Sequence, residues 1–263
     1  SAIFFQQFYY ICNKTIETQM RTLKEKYRML LEETDISYIR NIHDTIAWKE
    51  RLIAIIGSRG VGKTTMVLQH IKLHEDTKSS LFVFADDIWF STHTILELAD
   101  EFYKDGGKAL FIDEIHKYKN WSQEIKNIYD SFPKLRVCYT GSSILDLQKG
   151  AYDLSRRLLE YKMHGLSFRE YISLKHKIDI PTHTLEQVLA NDINFPYSEL
   201  RPLPLFKEYL KEGYYPYFLN TGYYLRLDKT INVILENDIP KFAELSISMS
   251  NKIKTLLFII AQS

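Results

Sequence analysis

Gly57-Ser58-Arg59-Gly60-Val61-Gly62-Lys63-Thr64 has the spacing Gly-x-x-x-x-Gly-Lys-Thr, with Thr65 next. Glycines at these positions let successive backbone N–H groups turn inward and cradle phosphate oxygens. A helix that starts at the end of such a loop adds its positive dipole to the same anion. Lys63 then reaches the β- and γ-phosphates, and the Thr64 hydroxyl is a ligand for Mg²⁺. The chemistry is that of ATP with Mg²⁺, held by Gly57–Thr65.

A second set of polar groups follows on the apolar run Leu110-Phe-Ile, which delivers Asp113 and Glu114. A carboxylate at the end of a buried strand beside the loop can hold Mg²⁺ through water. Glu114, one residue on, is placed to take a proton from an attacking water. Farther along, Leu135–Thr140 runs into Gly141-Ser142-Ser143. A hydroxyl there can bond the water or the γ-phosphate, and Ser142 is preferred to Thr140 for that role. Ser155-Arg156-Arg157 offers guanidinium groups that could neutralise charge developing on the γ-phosphate. Arg157 is chosen, with Arg156 in reserve. The candidate catalytic set is therefore Lys63, Glu114, Ser142 and Arg157, with Thr64 and Asp113 on the metal.

These residues need elements to position them. Leu52–Ile56 reads as a strand buried on both faces, and Thr64–Leu73 as the helix after the loop. Strands are expected at Ser80–Ala85, Ala109–Ile112, Leu135–Thr140 and Tyr161–His164. Helices are expected at Ile95–Tyr103 and Trp121–Ser131. Strands alternating with helices call for a parallel sheet with covered faces. Before them, Ile16, Met20, Leu23, Tyr27 and Leu30 form an apolar stripe at helical spacing, read as packing on its own domain. Asp35 to Lys49 reads as a connector. After Leu166, four prolines punctuate an irregular stretch, and helical patterns return at Leu205–Glu212, Lys229–Asn237 and Ile253–Ile260.

Composition sets limits on this reading. Apolar residues make up 45% of the 263 and charged residues 25%, an ordinary globular balance. Eighteen tyrosines suggest half-buried contact surfaces. A net charge of +1 decides nothing about nucleic acid. Cys12 and Cys138 are too few for a disulfide scaffold or a four-cysteine zinc site, and fit a reducing, cytoplasmic setting. The apolar runs are too short to span a bilayer. His70 and His74 lie one helical turn apart, a metal-binding spacing, but with no third ligand evident they read as an exposed helix face. A GTPase is disfavoured because no Asn/Thr-Lys-x-Asp tetrapeptide lies in the sheet region. A transporter ATPase is disfavoured by the lack of Leu-Ser-Gly-Gly. A small-molecule kinase fits less well than water as nucleophile beside Glu114.

From about Phe8 onward the chain resembles a prokaryotic, archaeal-ATPase-like branch of the AAA+ ATPases that often carries a C-terminal domain of unknown function. The resemblance rests on Arg51–Thr65, Ala109–His116, Trp121, Tyr139–Ser143, Leu154–Arg157, Gly165–Tyr171, Leu210–Gly213 with Pro216, and Asp238–Pro240. Gly165–Tyr171 and Gly213–Pro216 are the more specific pieces. The resemblance implies a P-loop NTPase three-layer α/β sandwich with a parallel sheet ordered 5-1-4-3-2, followed by a helical lid. It implies a core over residues 1–165, with the N-terminal helix, and a lid over 166–263. Similar proteins continue into a winged-helix module and a further domain, so the chain is expected to stop short of both. It departs from the pattern at Gly213-Tyr-Tyr-Pro216, where a second glycine is expected.

Two functions follow as expectations. One is an ATP hydrolase whose turnover drives conformational work. The other is a nucleotide-gated regulatory or DNA-associated switch that hydrolyses slowly. Partners would be ATP and ADP, a second copy of the chain, and DNA or protein through domains beyond this sequence, with no membrane.

Overall fold

The computed structural model describes residues 20–141, 154, 156–192, 200–238 and 247–262. They fall into two compact units. One takes in Ser1–Gly57 and Lys63–Lys162, and the other Ser58–Gly62 and Met163–Ser263.

The first unit begins, among described residues, with helix α1 over residues 20–33. Its stripe of Met20, Leu23, Tyr27 and Leu31 is buried, and the Tyr27 hydroxyl lies 2.7 Å from Ser80 Oγ. The expected stripe is present, with Leu31 rather than Leu30 as its last buried member; Ile16 lies outside the described residues. A 3₁₀ turn at Asn41–Thr45 leads to β1 (Leu52–Ile56) and then α2 (Lys63–His74). Next come β2 (Ser80–Phe84), α3 (Ile95–Lys104), β3 (Ala109–Asp113), α4 (Trp121–Ser131), β4 (Arg136–Gly141) and β5 (Leu159–Lys162).

All five strands are parallel and lie in the order β2-β3-β4-β1-β5. This is the expected 5-1-4-3-2 order read from the other edge. β1 and β3 are buried at every position, as an interior parallel strand covered on both faces must be. α3 is set by a capping box, in which Thr94 and Glu97 satisfy each other's backbone N–H. Gly106 N and Gly107 N close it on Tyr103 O and Phe102 O.

β5 lies two residues earlier than expected. It is an edge strand with mostly exposed side chains, so apolar content does not mark it. Pairing with β1 fixes it instead, Ile53 opposite Leu159 and Ile56 opposite Lys162. Met163, inside the expected Tyr161–His164, is buried and belongs to the second unit.

α2 carries buried polar residues as well as apolar ones. The connector wraps it: Gln69 Nε2 donates to Asp35 O and Tyr38 O at 2.7 and 2.8 Å. Lys72 Nζ donates to Thr34 O at 2.9 Å. His70 is therefore buried, which corrects the expectation of an exposed face there.

In the second unit the described elements are all helical: α5 (Phe168–His176), α6 (Leu185–Leu189), α7 (Pro202–Glu212), a 3₁₀ turn Pro216–Leu219, α8 (Tyr223–Val233), a π turn Ile234–Asp238, and α9 (Ile247–Gln262). Ser167 with Glu170 and Thr184 with Gln187 form capping boxes that start α5 and α6. The two sequence pieces on which the resemblance leaned most meet here. Leu166 N donates to Tyr214 O at 2.8 Å, and the Tyr209 hydroxyl donates to Leu166 O at 2.7 Å. Gly165 has to be glycine, because a Cβ there would lie 2.5 Å from Tyr214 O. No described helix is long and apolar enough to cross a membrane.

Candidate functional site

Parallel strands end together, so whatever follows their C-terminal ends is gathered on one rim of the sheet. β1 ends at Ile56, and Gly57 N donates across to Gly141 O at 3.3 Å, next to the end of β4. The chain then turns through Gly60 (φ 78°) and Gly62 (φ 97°), both in the left-handed region that favours glycine. α2 starts at Lys63, so the loop discharges directly onto a helix N-terminus.

Along the loop, Ser58 and Arg59 are half-buried, Gly60 is exposed, Val61 is buried, and Thr65 is exposed. The buried Lys63 side chain folds back so that Nζ donates to Gly57 O at 2.8 Å. Within the second unit, which includes Ser58–Gly62, Tyr217 lies so close that a Cβ on Gly60 would come 2.7 Å from its ring. Tyr215 stacks on Tyr217 with ring centres 5.1 Å apart.

Asp113 closes β3 and is only 2% exposed. Its Oδ2 accepts from Thr64 Oγ1 at 2.7 Å, and its Oδ1 accepts from Thr140 Oγ1. Burial pushes the Asp113 carboxyl above its ordinary range, against the lowering effect of those two hydroxyl donors and of Lys63. The same Thr140 oxygen accepts from Glu114 N at 3.2 Å. Glu114 is held at φ 55°, ψ 41°, a left-handed conformation that costs a non-glycine residue on the order of 1–3 kcal/mol and collects at functional sites. Its carboxylate lies 3.6 Å from His116 Nε2 and 3.7 Å from Lys117 Nζ, and Lys117 also pairs with Asp86 at 2.6 Å.

The structure thus brings Lys63, Thr64, Asp113 and Glu114 to one rim and adds Thr140. Ser142 lies outside the described residues. The register carries the signal for Thr140. Ile112 pairs with Tyr139, so the next residue of β4 reaches the rim level with Asp113. Arg157 is not brought to the loop. It stands two residues before Leu159, at the start of β5, whereas the loop follows the end of β1. At about 3.3 Å per strand residue, that is on the order of 20 Å along the sheet. There Arg157 Nη2 pairs with Asp130 at 3.2 Å, above the Tyr129 ring that also stacks with Arg51. Arg156 is exposed.

The thiol of Cys138, buried in β4, is pushed up by desolvation and lies behind this rim rather than on it. Cys12 lies outside the described residues.

The donor set suits a hard divalent cation: one hydroxyl and one buried carboxylate, side by side. Residues 49–172 match the family model described as AAA domain.

The matched stretch runs from just before β1 into α5. Over 96% of its length the chain is 28% identical to the uncharacterized protein MJ1637 of Methanocaldococcus jannaschii. It spans 57% of that relative's length. Among solved structures it is similar to the Walker-type ATPase PABY2304 of Pyrococcus abyssi, at 13% identity and a TM-score of 0.42, over 84% of this chain and 74% of that one. It is also similar to DnaA from Aquifex aeolicus bound to AMPPCP, at 16% identity and a TM-score of 0.37, over 74% of this chain and 67% of that one.

Proposed function

We propose that this chain hydrolyses ATP with Mg²⁺ at the rim formed by Gly57–Thr65, Asp113, Glu114 and Thr140. The observation that supports this best is the bond between Thr64 Oγ1 and Asp113 Oδ2 at 2.7 Å, which brings a hydroxyl and a carboxylate from distant motifs side by side. Thr64 and Asp113 would hold Mg²⁺, which when bound neutralises charge on the β- and γ-phosphate oxygens.

The loop's backbone N–H groups bind the phosphates. Lys63, now resting on Gly57 O, swings its ammonium onto the β- and γ-oxygens when they arrive. Glu114 accepts a proton from water as the water oxygen bonds to the γ-phosphorus and the bond to the bridging oxygen of ADP breaks. Thr140 holds both Asp113 and the Glu114 backbone, so it sets the orientation of the metal ligand and the base together.

The test is Glu114→Gln. The amide keeps the shape but cannot take the proton, so ATP affinity should stay within about threefold while phosphate release falls by about 10²–10⁴. Release within threefold of wild type would move the base elsewhere. The wild-type rate also separates a motor from a switch: roughly 10⁻⁴–10⁻² s⁻¹ is the range of unassisted switch GTPases, against about 1–100 s⁻¹ for kinases.

A further inference from the structure

A second cluster of ligand-type side chains lies in the first unit, away from the phosphate rim and built from different donors. His70 and His74 stand one turn apart at the C-terminal end of α2, and the 3₁₀ turn Asn41–Thr45 brings His43 against them. One nitrogen from each of the three rings lies within 4.8 Å of the others. His43 and His70 are buried, and His74 is exposed. No sequence pattern marks the third member, because His43 sits in a connector with no periodicity.

The carboxylates beside the two buried rings single the cluster out. His43 Nδ1 is 3.0 Å from Asp44 Oδ1, and His70 Nε2 is 3.4 Å from Glu75 Oε1. Glu75 is itself fixed by a two-pronged bond from Arg136 at 2.7 and 2.8 Å. A carboxylate beside one ring nitrogen favours the proton on that nitrogen, which leaves the other as a lone pair. The other two nitrogens, His43 Nε2 and His70 Nδ1, face each other at 3.2 Å, and with those tautomers both present lone pairs. Two lone pairs at that distance repel unless a cation lies between them. Zinc–imidazole bonds of about 2.0–2.1 Å in a tetrahedron put ligand nitrogens about 3.3–3.4 Å apart, close to what is observed.

Trp48 stacks flat on His70 at 3.8 Å and donates its indole N–H to His43 O at 2.9 Å, which fixes both rings from the other side. His74, exposed on the last turn, can close by rotating its side chain.

We infer that His43, His70 and His74 form a site for a divalent transition metal of the Zn²⁺ class, with water in a fourth position, that clasps the connector onto the end of α2. Nitrogen donors select such an ion over Mg²⁺, whose site at the loop is built from oxygen. The inference does not depend on ATP hydrolysis.

The test is metal binding by the intact, chelator-stripped chain in excess Mg²⁺. Calorimetry with ZnCl₂ should give one Zn²⁺ per chain, and CoCl₂ should give the intense visible absorption of four-coordinate cobalt. His74→Ala removes an exposed side chain and leaves the fold intact; it should weaken Zn²⁺ binding at least tenfold and abolish the cobalt band. His43→Gln should do the same. Zn²⁺ should raise the melting temperature of the wild type and not of His74→Ala. No stoichiometric uptake would overturn the site. So would uptake unchanged in His74→Ala, or cobalt absorption no stronger than that of the aquo ion. In each of those cases the rings would be a proton-bridged packing cluster.

Discussion

Replacing Thr140 by valine removes one hydroxyl and changes little else in volume, at a position 2% exposed. The deletion has two consequences on the rim. Asp113 Oδ1 loses its donor while staying buried, and Glu114 N loses Thr140 Oγ1 as an acceptor. A hydrogen bond to a charged group contributes about 1.5–3 kcal/mol, and an acceptor taken from a part-buried N–H adds up to about 1 kcal/mol more. Thr140→Val should therefore destabilise the protein by about 2–4 kcal/mol in urea unfolding. The hydroxyl also helps hold down the Asp113 carboxyl that burial pushes up, so its loss drives Asp113 further toward the neutral acid. A neutral acid is a poor Mg²⁺ ligand, so Mg²⁺-dependent ATP binding should weaken by more than Mg²⁺-free binding does. Thr140→Ser is the control. It keeps the oxygen and deletes one buried methyl, worth about 1 kcal/mol, and should preserve the Mg²⁺ dependence. Stability of the valine variant within about 0.5 kcal/mol of wild type, with unaltered Mg²⁺ dependence, would refute the role given to this hydroxyl.

Lys63→Ala removes the buried lysine at the end of the loop and should abolish tight nucleotide binding; near-normal ATP affinity by calorimetry would undo the assignment of the loop. Arg157 pairs with Asp130 on a partly exposed surface far along the sheet from the loop. Arg157→Ala should leave ATP affinity unchanged, and if the guanidinium serves a neighbouring chain's nucleotide, wild-type turnover per chain should rise with protein concentration. Mixing Arg157→Ala with Glu114→Gln should then restore some hydrolysis; a flat concentration profile and a dead mixture would make Arg157 a surface ion pair. Glu75 is desolvated, yet its bonds from His70 and Arg136 outweigh that and hold it at about 2 against an ordinary 4.5. A depressed folded-state value means the stabilisation is complete above 4.5 and lost as pH falls toward 2. Unfolding free energy should drop across that window in the wild type and drop less steeply in Arg136→Gln, whose neutral-pH stability should be lower from the start.

The sheet was legible because its signals are local and redundant. Leu52–Ile56 and Ala109–Ile112 are continuous apolar runs closed by a glycine and by an acid, and only a strand buried on both faces needs that composition. β5 was misplaced because an edge strand pairs through backbone, and its side chains owe little to burial. In the second unit, α5 and α6 went unread although Ser167-x-x-Glu170 and Thr184-x-x-Gln187 announce them, since the apolar stripe behind each is short. α7 begins three residues earlier than its apolar pattern, with Pro202 in the first turn, where a missing N–H costs nothing. Thr140 ranked below Ser142 because a hydroxyl inside an apolar run reads as strand filler. Its partner Asp113 is assigned by inter-strand register, which one sequence does not contain. His43 is the plainer case, because contact between a connector and a helix that it wraps leaves no periodic trace.

The chemistry on α2 follows the polarity of the helix. Its first residues, Lys63 and Thr64, present an ammonium and a hydroxyl where unpaired N–H groups and the positive end of the dipole favour a phosphate. Its last turns hold His70 and His74, where unpaired carbonyls and the negative end favour a cation. Across twelve residues, about 18 Å at 1.5 Å each, the two proposals thus give the helix an anion end and a cation end. Their donors are sorted to match, oxygen and ammonium at one end and imidazole at the other. A rigid helix anchored at its far end presents the loop from a fixed base. The connector that supplies His43 also buries Gln69 through two backbone carbonyls, so it is already fastened to α2 by hydrogen bonds. A metal there would stiffen a contact that the fold makes anyway. It would not have to create one, which is why its loss should register in melting temperature well before it registers in nucleotide affinity.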